Sequence, residues 1–149
     1  MNSKIDVLII GGGMYVSGKG TDSDGTIIPA LLEARRHGMV SGLGLVTTSA
    51  DSANENRERI NTLAKRMGVD SKCEYFPKSG NNEQAYLDAA EQFKPDAVIV
   101  SVPDHLHASV SIPLIEKGIH CLVVKPMATT LAEANAMTEA AKKAGVLGQ

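Results

Sequence analysis

A cluster of three glycines follows the first apolar segment of the chain and could bind a phosphate-bearing ligand. The apolar run 7–10 leads directly into Gly11, Gly12 and Gly13. Glycines at such a position let the backbone turn sharply and let a pyrophosphate approach, while the N-terminus of the next helix favours its charge. Gly11 and Gly13 supply the first two glycines of the dinucleotide-binding fingerprint.

The fingerprint is incomplete, because Val16 occupies the position of its third glycine. The segment 14–24 is expected to be a long loop that separates the glycines from the first helix. A plain glycine-rich turn is therefore the alternative interpretation of this loop when it is taken alone.

A second phosphate-binding pattern overlaps the first. Gly13, Gly18 and Lys19 match most of a P-loop, which requires Ser or Thr directly after the lysine, at the start of a helix, to hold magnesium. Here Gly20 intervenes, and residues 21–25 have the composition of a loop. The segment around Lys19 is more simply interpreted as an extension of the phosphate-binding loop or a flap over it.

Two threonines and a serine, at positions 47–49, end the second predicted strand. A domain that selects NAD usually carries Asp or Glu there, to hold the ribose hydroxyls. The nearest acid, Asp51, comes slightly late, and Arg57 and Arg59 are close in sequence. Hydroxyls without a repelling carboxylate tolerate a 2′-phosphate, so the sequence slightly favours NADP. The alternative interpretation is that residues 47–49 are ordinary turn and capping residues.

Two linked motifs in the second half of the chain indicate a family. A strand-like segment, 96–102, runs into Pro103 with His105 nearby, and a later segment, 118–124, runs into Lys125-Pro126. In these motifs the sequence resembles the Gfo/Idh/MocA family, the glucose-fructose oxidoreductase and inositol dehydrogenase group. The family pattern is a strand ending in a small residue and Pro, a nearby His, a helix ending in Gly, and a strand ending in Glu-Lys-Pro. The resemblance covers essentially the whole chain.

The resemblance implies a Rossmann domain that binds NAD(P), here residues 1–149, followed by a larger substrate domain that this chain lacks. Family members transfer hydride between NAD(P) and a hydroxyl-bearing carbon, commonly of a sugar or polyol. The resemblance places Lys125 near the nicotinamide and substrate and gives Pro126 the strand-end turn. The family's Glu is replaced by Val124, so the function of that acid is lost or supplied elsewhere.

A lysine suits this chemistry. Oxidising an alcohol by hydride loss requires removal of the hydroxyl proton, and a positive group stabilises the developing alkoxide. Lys125 is therefore the only catalytic side chain expected in the chain, because the resemblance assigns the family's other catalytic groups to the second domain. Taken without its neighbours, Lys125 would be interpreted as a solvated lysine at a strand end.

The histidines do not predict a metal site. His105 and His107 are two residues apart, so on a helix they would not face each other, and His120 and Cys121 are adjacent on a strand and point to opposite faces. Either His105 or His107 is expected to line the nicotinamide pocket, with a capping or surface role equally open. The residues predicted to contact NAD(P) are Gly11, Gly12, Gly13, Met14, Thr48, Ser49, Val102, Pro103, His105, Lys125 and Pro126.

Short apolar runs alternate with amphipathic segments, which is typical of βαβ units around a parallel sheet. The predicted fold is a three-layer α/β/α, doubly wound Rossmann sheet of order 3-2-1-4-5. The predicted strands are Lys4–Ile10, Gly42–Thr48, Cys73–Phe76, Asp96–Val102 and Ile119–Val124. A further strand is expected to start near Leu147, so the sheet is expected to be truncated at the end of the chain.

The helices carry their own boundary signals. Capping boxes are predicted at Ser52 with Glu55, at Asn81 with Gln84 and at Thr130 with Glu133, and helix stops at Gly68, Pro95 and Gly145. The first helix is expected to begin at Thr26, with Pro29 in its first turn. Pro113 is expected to kink or break the helix that follows His105.

Composition narrows the function classes. The 149 residues suit one domain. A formal charge of -2 and 3% aromatic residues argue against nucleic-acid binding. The apolar run 7–10 is too short for a signal peptide or membrane span, and Cys73 and Cys121 are expected to be buried free thiols in a reducing compartment. These features predict a soluble cytoplasmic protein.

The leading functional hypothesis is the NAD(P)-binding domain of an oxidoreductase. The second is a non-catalytic nucleotide-binding or regulatory module, and the third is a P-loop NTPase. The full-length protein is expected to form a homo-oligomer. The chain alone is expected to be inactive, since it has no second wall to hold a substrate against the nicotinamide.

Overall fold

The computed structural model describes residues 4–149 and contains a five-stranded parallel sheet. The strand order is β3-β2-β1-β4-β5, and all four neighbouring pairs are parallel. This confirms the predicted doubly wound order. The strands are β1 (Ile5–Ile10), β2 (Val40–Val46), β3 (Glu74–Phe76), β4 (Ala97–Val100) and β5 (His120–Val123).

Helices cover both faces of the sheet. They are α1 (Met14–Ser17), α2 (Ile27–Arg36), α3 (Ala50–Met67), α4 (Ala85–Phe93), α5 (His107–Glu116) and α6 (Leu131–Ala144), with a 3₁₀ turn over Asp104–Leu106 before α5. One apolar cluster joins one face of the sheet to α1, α2 and α3, and the other joins the opposite face to α4, α5 and α6. These clusters form the two interfaces of a three-layer α/β/α domain.

Four of the five strands are shorter than the predicted segments, whereas the second, Val40–Val46, has the predicted length but begins two residues earlier. The second strand ends at Val46, two residues before the predicted Thr48, because Thr47 turns and donates its hydroxyl to the carbonyl of Ser49 at 2.7 Å. The fourth ends at Val100, and Val102 leaves the sheet to line a groove. The residues beyond these two strand ends line the groove, namely Thr47, Thr48, Ser101 and Val102.

Two predicted helix starts are wrong. Helix α3 is capped by Ser49, whose hydroxyl accepts from the Ser52 amide at 3.2 Å, so Ser52 is inside the helix and forms no capping box with Glu55. Helix α4 begins at Ala85, and the amide of Gln84 donates to the side chain of Asn82 and not to that of Asn81. At α3 another polar residue in the same turn has the geometry to cap, whereas α4 begins without a side-chain cap.

Pro113 does not break its helix, because α5 runs from His107 to Glu116 through it. A proline leaves one carbonyl without an intrahelical donor, here that of Ser109. Ser109 is exposed, so water can bond that carbonyl. The predicted start of α2 after Thr26 and the glycine stops at Gly68 and Gly145 are confirmed.

The last three residues pair with the edge of the sheet, where a further strand was expected to start. The amide of Cys121 donates to the carbonyl of Leu147, and the amide of Gln149 donates to the carbonyl of Cys121, both at 2.9 Å. Cys121 is buried in the core, as predicted. Cys73 was also predicted to be buried but is only half-buried, because Cys73 lies before the first residue of β3.

None of the helices within residues 4–149 is both long and apolar enough to cross a bilayer.

The predicted capping box of α6 is present and gives a first test of the fold. Thr130 accepts from the amide of Glu133 at 3.2 Å, and the Glu133 carboxylate accepts from the amide of Thr130 at 3.0 Å. Thr130→Ala is expected to lower the free energy of unfolding by about 1 kcal/mol. Urea denaturation measures this, with Thr138→Ala as control, because the exposed Thr138 hydroxyl only donates to a carbonyl within the helix.

The same box has a defined pH dependence. Hydrogen bonds from the hydroxyls of Thr129 and Thr130 hold the pKa of Glu133 below its usual value. A lowered folded-state pKa stabilises the fold at pH values above the ordinary carboxyl range, and the stabilisation is lost as the pH falls through the folded pKa. The contribution of this carboxylate is therefore complete at neutral pH and decreases in acid.

Candidate functional site

A groove of about 810 Å³ opens where β1, β2, β4 and β5 end. We call it the edge groove. Open parallel sheets bind ligands at this edge, outside the carboxyl ends of the strands. Eight of the residues predicted to contact a nucleotide line it, namely Gly11, Gly12, Gly13, Met14, Thr48, Val102, Pro103 and Lys125.

Gly11 makes the turn out of β1. Its amide donates to the carbonyl of Val46 at 2.8 Å, and its φ of 112° is one that residues with a side chain rarely adopt. A Cβ on Gly11 would lie 2.0 Å from the carbonyl oxygen of Ser101, so β4 leaves no room for a side chain. The first glycine of the motif is therefore required by the fold itself.

Gly13 is different, because a Cβ built on it meets no heavy atom within 4 Å. Its φ of -85° is accessible to any residue, and it precedes the first turn of α1. Since Gly13 also lines the edge groove, its bare backbone leaves space for a ligand and is not needed for packing.

The segment 14–24 was predicted to be a loop, but its first four residues, Met14–Ser17, form the one-turn helix α1. The reason is visible at Val16, which is fully buried between the sheet and the helices of its own face. A hydrophobic side chain therefore anchors the turn at the position where the fingerprint has its third glycine. Met14 and Tyr15, on the other side of α1, line the edge groove.

Arg59 holds the rest of this segment in place through hydrogen bonds to its backbone. Its guanidinium donates to the carbonyls of Ser17 at 2.8 Å and Gly18 at 2.7 Å, and also to those of Thr21 and Ser23. Arg57 stacks on Tyr75, 4.8 Å from the ring centroid. Neither arginine lines the edge groove, so neither adds support to the slight preference for NADP.

Lys19 reaches the edge groove from the same segment. Its Nζ lies 2.9 Å from a carboxylate oxygen of Glu55 and 3.0 Å from the hydroxyl of Ser52. No helix begins directly after Lys19, since the next helix, α2, starts at Ile27. This geometry does not fit a P-loop, in which the lysine opens the helix that carries the phosphate-binding turn.

Asn56 joins the glycine turn to α3, a role that was not predicted from the sequence. The side chain is fully buried, donates to the carbonyl of Gly12 at 3.2 Å and accepts from the hydroxyl of Ser17 at 2.5 Å. The available signal was its spacing, because Asn56 is four residues before Ile60 on the buried face of the helix. A polar residue in an apolar stripe is worth noting, since buried amides are almost always hydrogen-bonded.

His107, and not His105, is the buried histidine. His107 is inaccessible to solvent, with Nδ1 2.7 Å from the carbonyl oxygen of Pro126 and Nε2 2.9 Å from that of Val102. His105 is exposed on the 3₁₀ turn and does not line the edge groove. His107 thus joins the turn after β4 to the turn after β5, which carries Lys125.

Two more predicted contacts lie just outside the edge groove. The Ser49 hydroxyl is used to cap α3, and Pro126 presents its carbonyl to His107. Lys125 itself is exposed and, within residues 4–149, makes no hydrogen bond or salt bridge. Val124 lines the edge groove beside it. Across residues 4–149 no three His, Cys, Asp or Glu side chains come together as metal ligands would.

Comparison with known proteins identifies the fold and the family. The model of the Gfo/Idh/MocA family, an oxidoreductase family with an NAD-binding Rossmann fold, matches residues 5–149. A levoglucosan dehydrogenase of Pseudarthrobacter phenanthrenivorans is 31% identical over 97 residues, which is 64% of this chain and 22% of that protein.

Two solved structures share the fold. The WlbA dehydrogenase of Chromobacterium violaceum, in complex with NADH and UDP-GlcNAcA, matches 97% of this chain and 34% of its own with a TM-score of 0.66 and 22% identity. A 3-ketoreductase of Actinomadura kijaniata, in complex with TDP-benzene and NADP, matches 97% of this chain and 37% of its own with a TM-score of 0.64 and 23% identity.

The chain spans about a fifth of the levoglucosan dehydrogenase and about a third of the two structural relatives. In this chain the matched region is a parallel sheet of order 3-2-1-4-5, with a glycine turn after β1 and an open groove at the carboxyl edge. The chain is an NAD-binding Rossmann domain and belongs to the Gfo/Idh/MocA family of oxidoreductases.

Proposed function

We propose that the chain provides the NAD(P)-binding domain of an enzyme that transfers hydride between nicotinamide and a hydroxyl-bearing carbon of a sugar or polyol. The observation that carries the proposal is that Gly11, Gly12, Gly13 and Lys125 face one groove. A groove with a phosphate-binding turn at one wall and a free ammonium group at another suits a dinucleotide and a reacting alcohol.

The substrate class rests on relatives. A levoglucosan dehydrogenase and a 1,5-anhydro-D-fructose reductase of Ensifer adhaerens, the latter 44% identical over 52 residues, are both named for sugar derivatives. We extend this chemistry to the complete protein, in which a second domain supplies the remaining catalytic groups and a homo-oligomer forms. The cytoplasm is the proposed location.

When bound, NAD(P) would supply the hydride acceptor or donor, and the residues of this chain would hold it and handle charge. Gly13 leaves its backbone open to the pyrophosphate, and Val102 and Pro103 form the wall that follows β4. The Lys125 ammonium donates a hydrogen bond to the substrate oxygen and stabilises negative charge that develops on it. In alcohol oxidation the neutral Lys125 amine would accept the hydroxyl proton, and in the reverse direction the ammonium so formed would return that proton to the substrate oxygen. The carbonyl contacts of His107 keep the turn bearing Lys125 close to the wall at Val102.

The proposal is tested by assaying the complete gene product. A panel of sugars and polyols is incubated with NAD or NADP, and the formation of reduced nicotinamide is followed. We expect turnover with at least one sugar-like alcohol and none with its analogue lacking the reacting hydroxyl. The second candidate is a non-catalytic nucleotide-binding module, because Val124 replaces the family's Glu. Nucleotide binding without turnover on any member of the panel would favour this second candidate.

A further inference from the structure

The edge groove needs a cation near the end of β2 if its ligand carries a 2′-phosphate. In a Rossmann domain the 2′ position of the adenosine ribose lies beside the end of the second strand, where an acid holds ribose hydroxyls and a cation accommodates a phosphate. Here Thr47 and Thr48 follow that strand, and Arg57 and Arg59 are bound elsewhere. Two cations of the described residues, Lys19 and Lys125, line the groove. Lys19 contacts Ser52 in α3, the helix that follows β2, whereas Lys125 follows β5, on the other side of β1.

The surroundings of Lys19 suit an anionic oxygen. Its Nζ lies 3.0 Å from the hydroxyl of Ser52, which also lines the groove, so an ammonium group and a hydroxyl are adjacent. An ammonium has three donors, and Ser52 and Glu55 engage two of them. The third donor can bind a ligand while the contacts to Ser52 and Glu55 are kept.

The main chain that carries Lys19 is held in place. Arg59 donates to the carbonyls of Ser17 and Gly18, directly before Lys19, and to those of Thr21 and Ser23 after it. A phosphate that binds Lys19 therefore has to order only the side chain, which keeps the entropic cost of binding low.

Two carboxylates oppose this assignment and define its controls. Glu55 pairs with Lys19 at 2.9 Å but is exposed and does not line the groove, so a phosphate can replace it as partner. Glu83 does line the groove, on a segment bound to the turn after β2 by a hydrogen bond from the amide of Asn82 to the carbonyl of Thr48. An acid in that position could hold ribose hydroxyls and favour NAD.

We propose that Lys19, together with the Ser52 hydroxyl, recognises the 2′-phosphate and makes the domain prefer NADP(H) to NAD(H). The selecting charge then comes from the segment after the glycine turn, and not from a residue of β2 or the loop that follows it. This inference rests on the proposed nucleotide site and adds its cofactor preference.

The test is to titrate the 149-residue chain with NADPH and NADH and to follow nucleotide fluorescence. We expect the chain to bind NADPH more tightly. Lys19→Met should weaken NADPH binding about 10- to 100-fold, since a hydrogen bond to a charged group is lost, and should change NADH binding less than about twofold. Glu55→Gln should strengthen NADPH binding, because it removes the competing carboxylate.

Lys65→Met is the matched control, because Lys65 is exposed at the far end of α3, and both affinities should stay unchanged. An equal loss of NADPH and NADH in Lys19→Met, or no loss, would overturn the inference alone, since the nucleotide site would still exist. A preference for NADH that Glu83→Gln abolishes would overturn it as well. If the unmodified chain bound neither nucleotide, the proposed function would fail first.

Discussion

Gly13→Val is expected to reduce NAD(P)(H) binding by about 100-fold or more while the fold stays intact. The second glycine of the fingerprint lets the backbone approach the pyrophosphate, and a valine side chain there would occupy that space. The loss of several charge-assisted contacts accounts for the magnitude. The fold should be unaffected, because a Cβ at Gly13 meets nothing within 4 Å and its φ of -85° suits any residue.

Gly11→Ala provides the contrast, because it should damage the fold. Its Cβ would lie 2.0 Å from the Ser101 carbonyl oxygen, at a φ of 112°. Backbone strain of about 1–3 kcal/mol and overpacking of a similar size should together lower the free energy of unfolding by several kcal/mol. Urea denaturation and nucleotide titration of both variants separate the two roles. Normal binding by Gly13→Val would show that the pyrophosphate lies elsewhere.

Lys125→Met in the complete gene product is expected to lower the maximal rate about 100- to 10,000-fold, which is the usual contribution of a positioned proton-transfer group. Nucleotide affinity should change less than about twofold, because the change removes no phosphate contact. Lys125 is exposed and unpaired among residues 4–149, so its removal should leave the stability of the domain unchanged.

Steady-state rates and a nucleotide titration of the same preparation check this prediction. Lys125→Arg is the informative companion, since arginine keeps the positive charge but cannot accept the proton. A rate for the arginine variant close to that of wild type would assign Lys125 to charge stabilisation alone. A methionine variant with an unchanged rate would show that the chemistry lies elsewhere.

The fold was predictable because its signals are local. Apolar runs such as 7–10 alternate with amphipathic segments, and that alternation, with the right-handed crossover rule, leaves few strand orders. Element ends were less predictable, since several polar residues within one turn compete for the same amide. Ser49 caps α3 in place of Ser52 in this way, whereas Thr130 has Glu133 at the right spacing and was assigned correctly.

The sequence predicted which residues lie at the groove better than it predicted which atoms their side chains contact. Gly11, Gly13 and Lys125 follow strands, and strand ends of a parallel sheet meet at one edge. The roles of Arg59 and His107 depend on carbonyls far away in sequence, and no short-range pattern shows which backbone oxygen a side chain will meet. For this reason the sequence did not distinguish the exposed His105 from the buried His107.

The most direct test of the central claim is a calorimetric titration of the unmodified chain with NADPH, in the absence and presence of ATP and magnesium. If the edge groove is a dinucleotide site, NADPH binds saturably at one site per chain, and ATP with magnesium does not displace it. Saturable binding of ATP with magnesium, without binding of NADPH or NADH, would contradict the account.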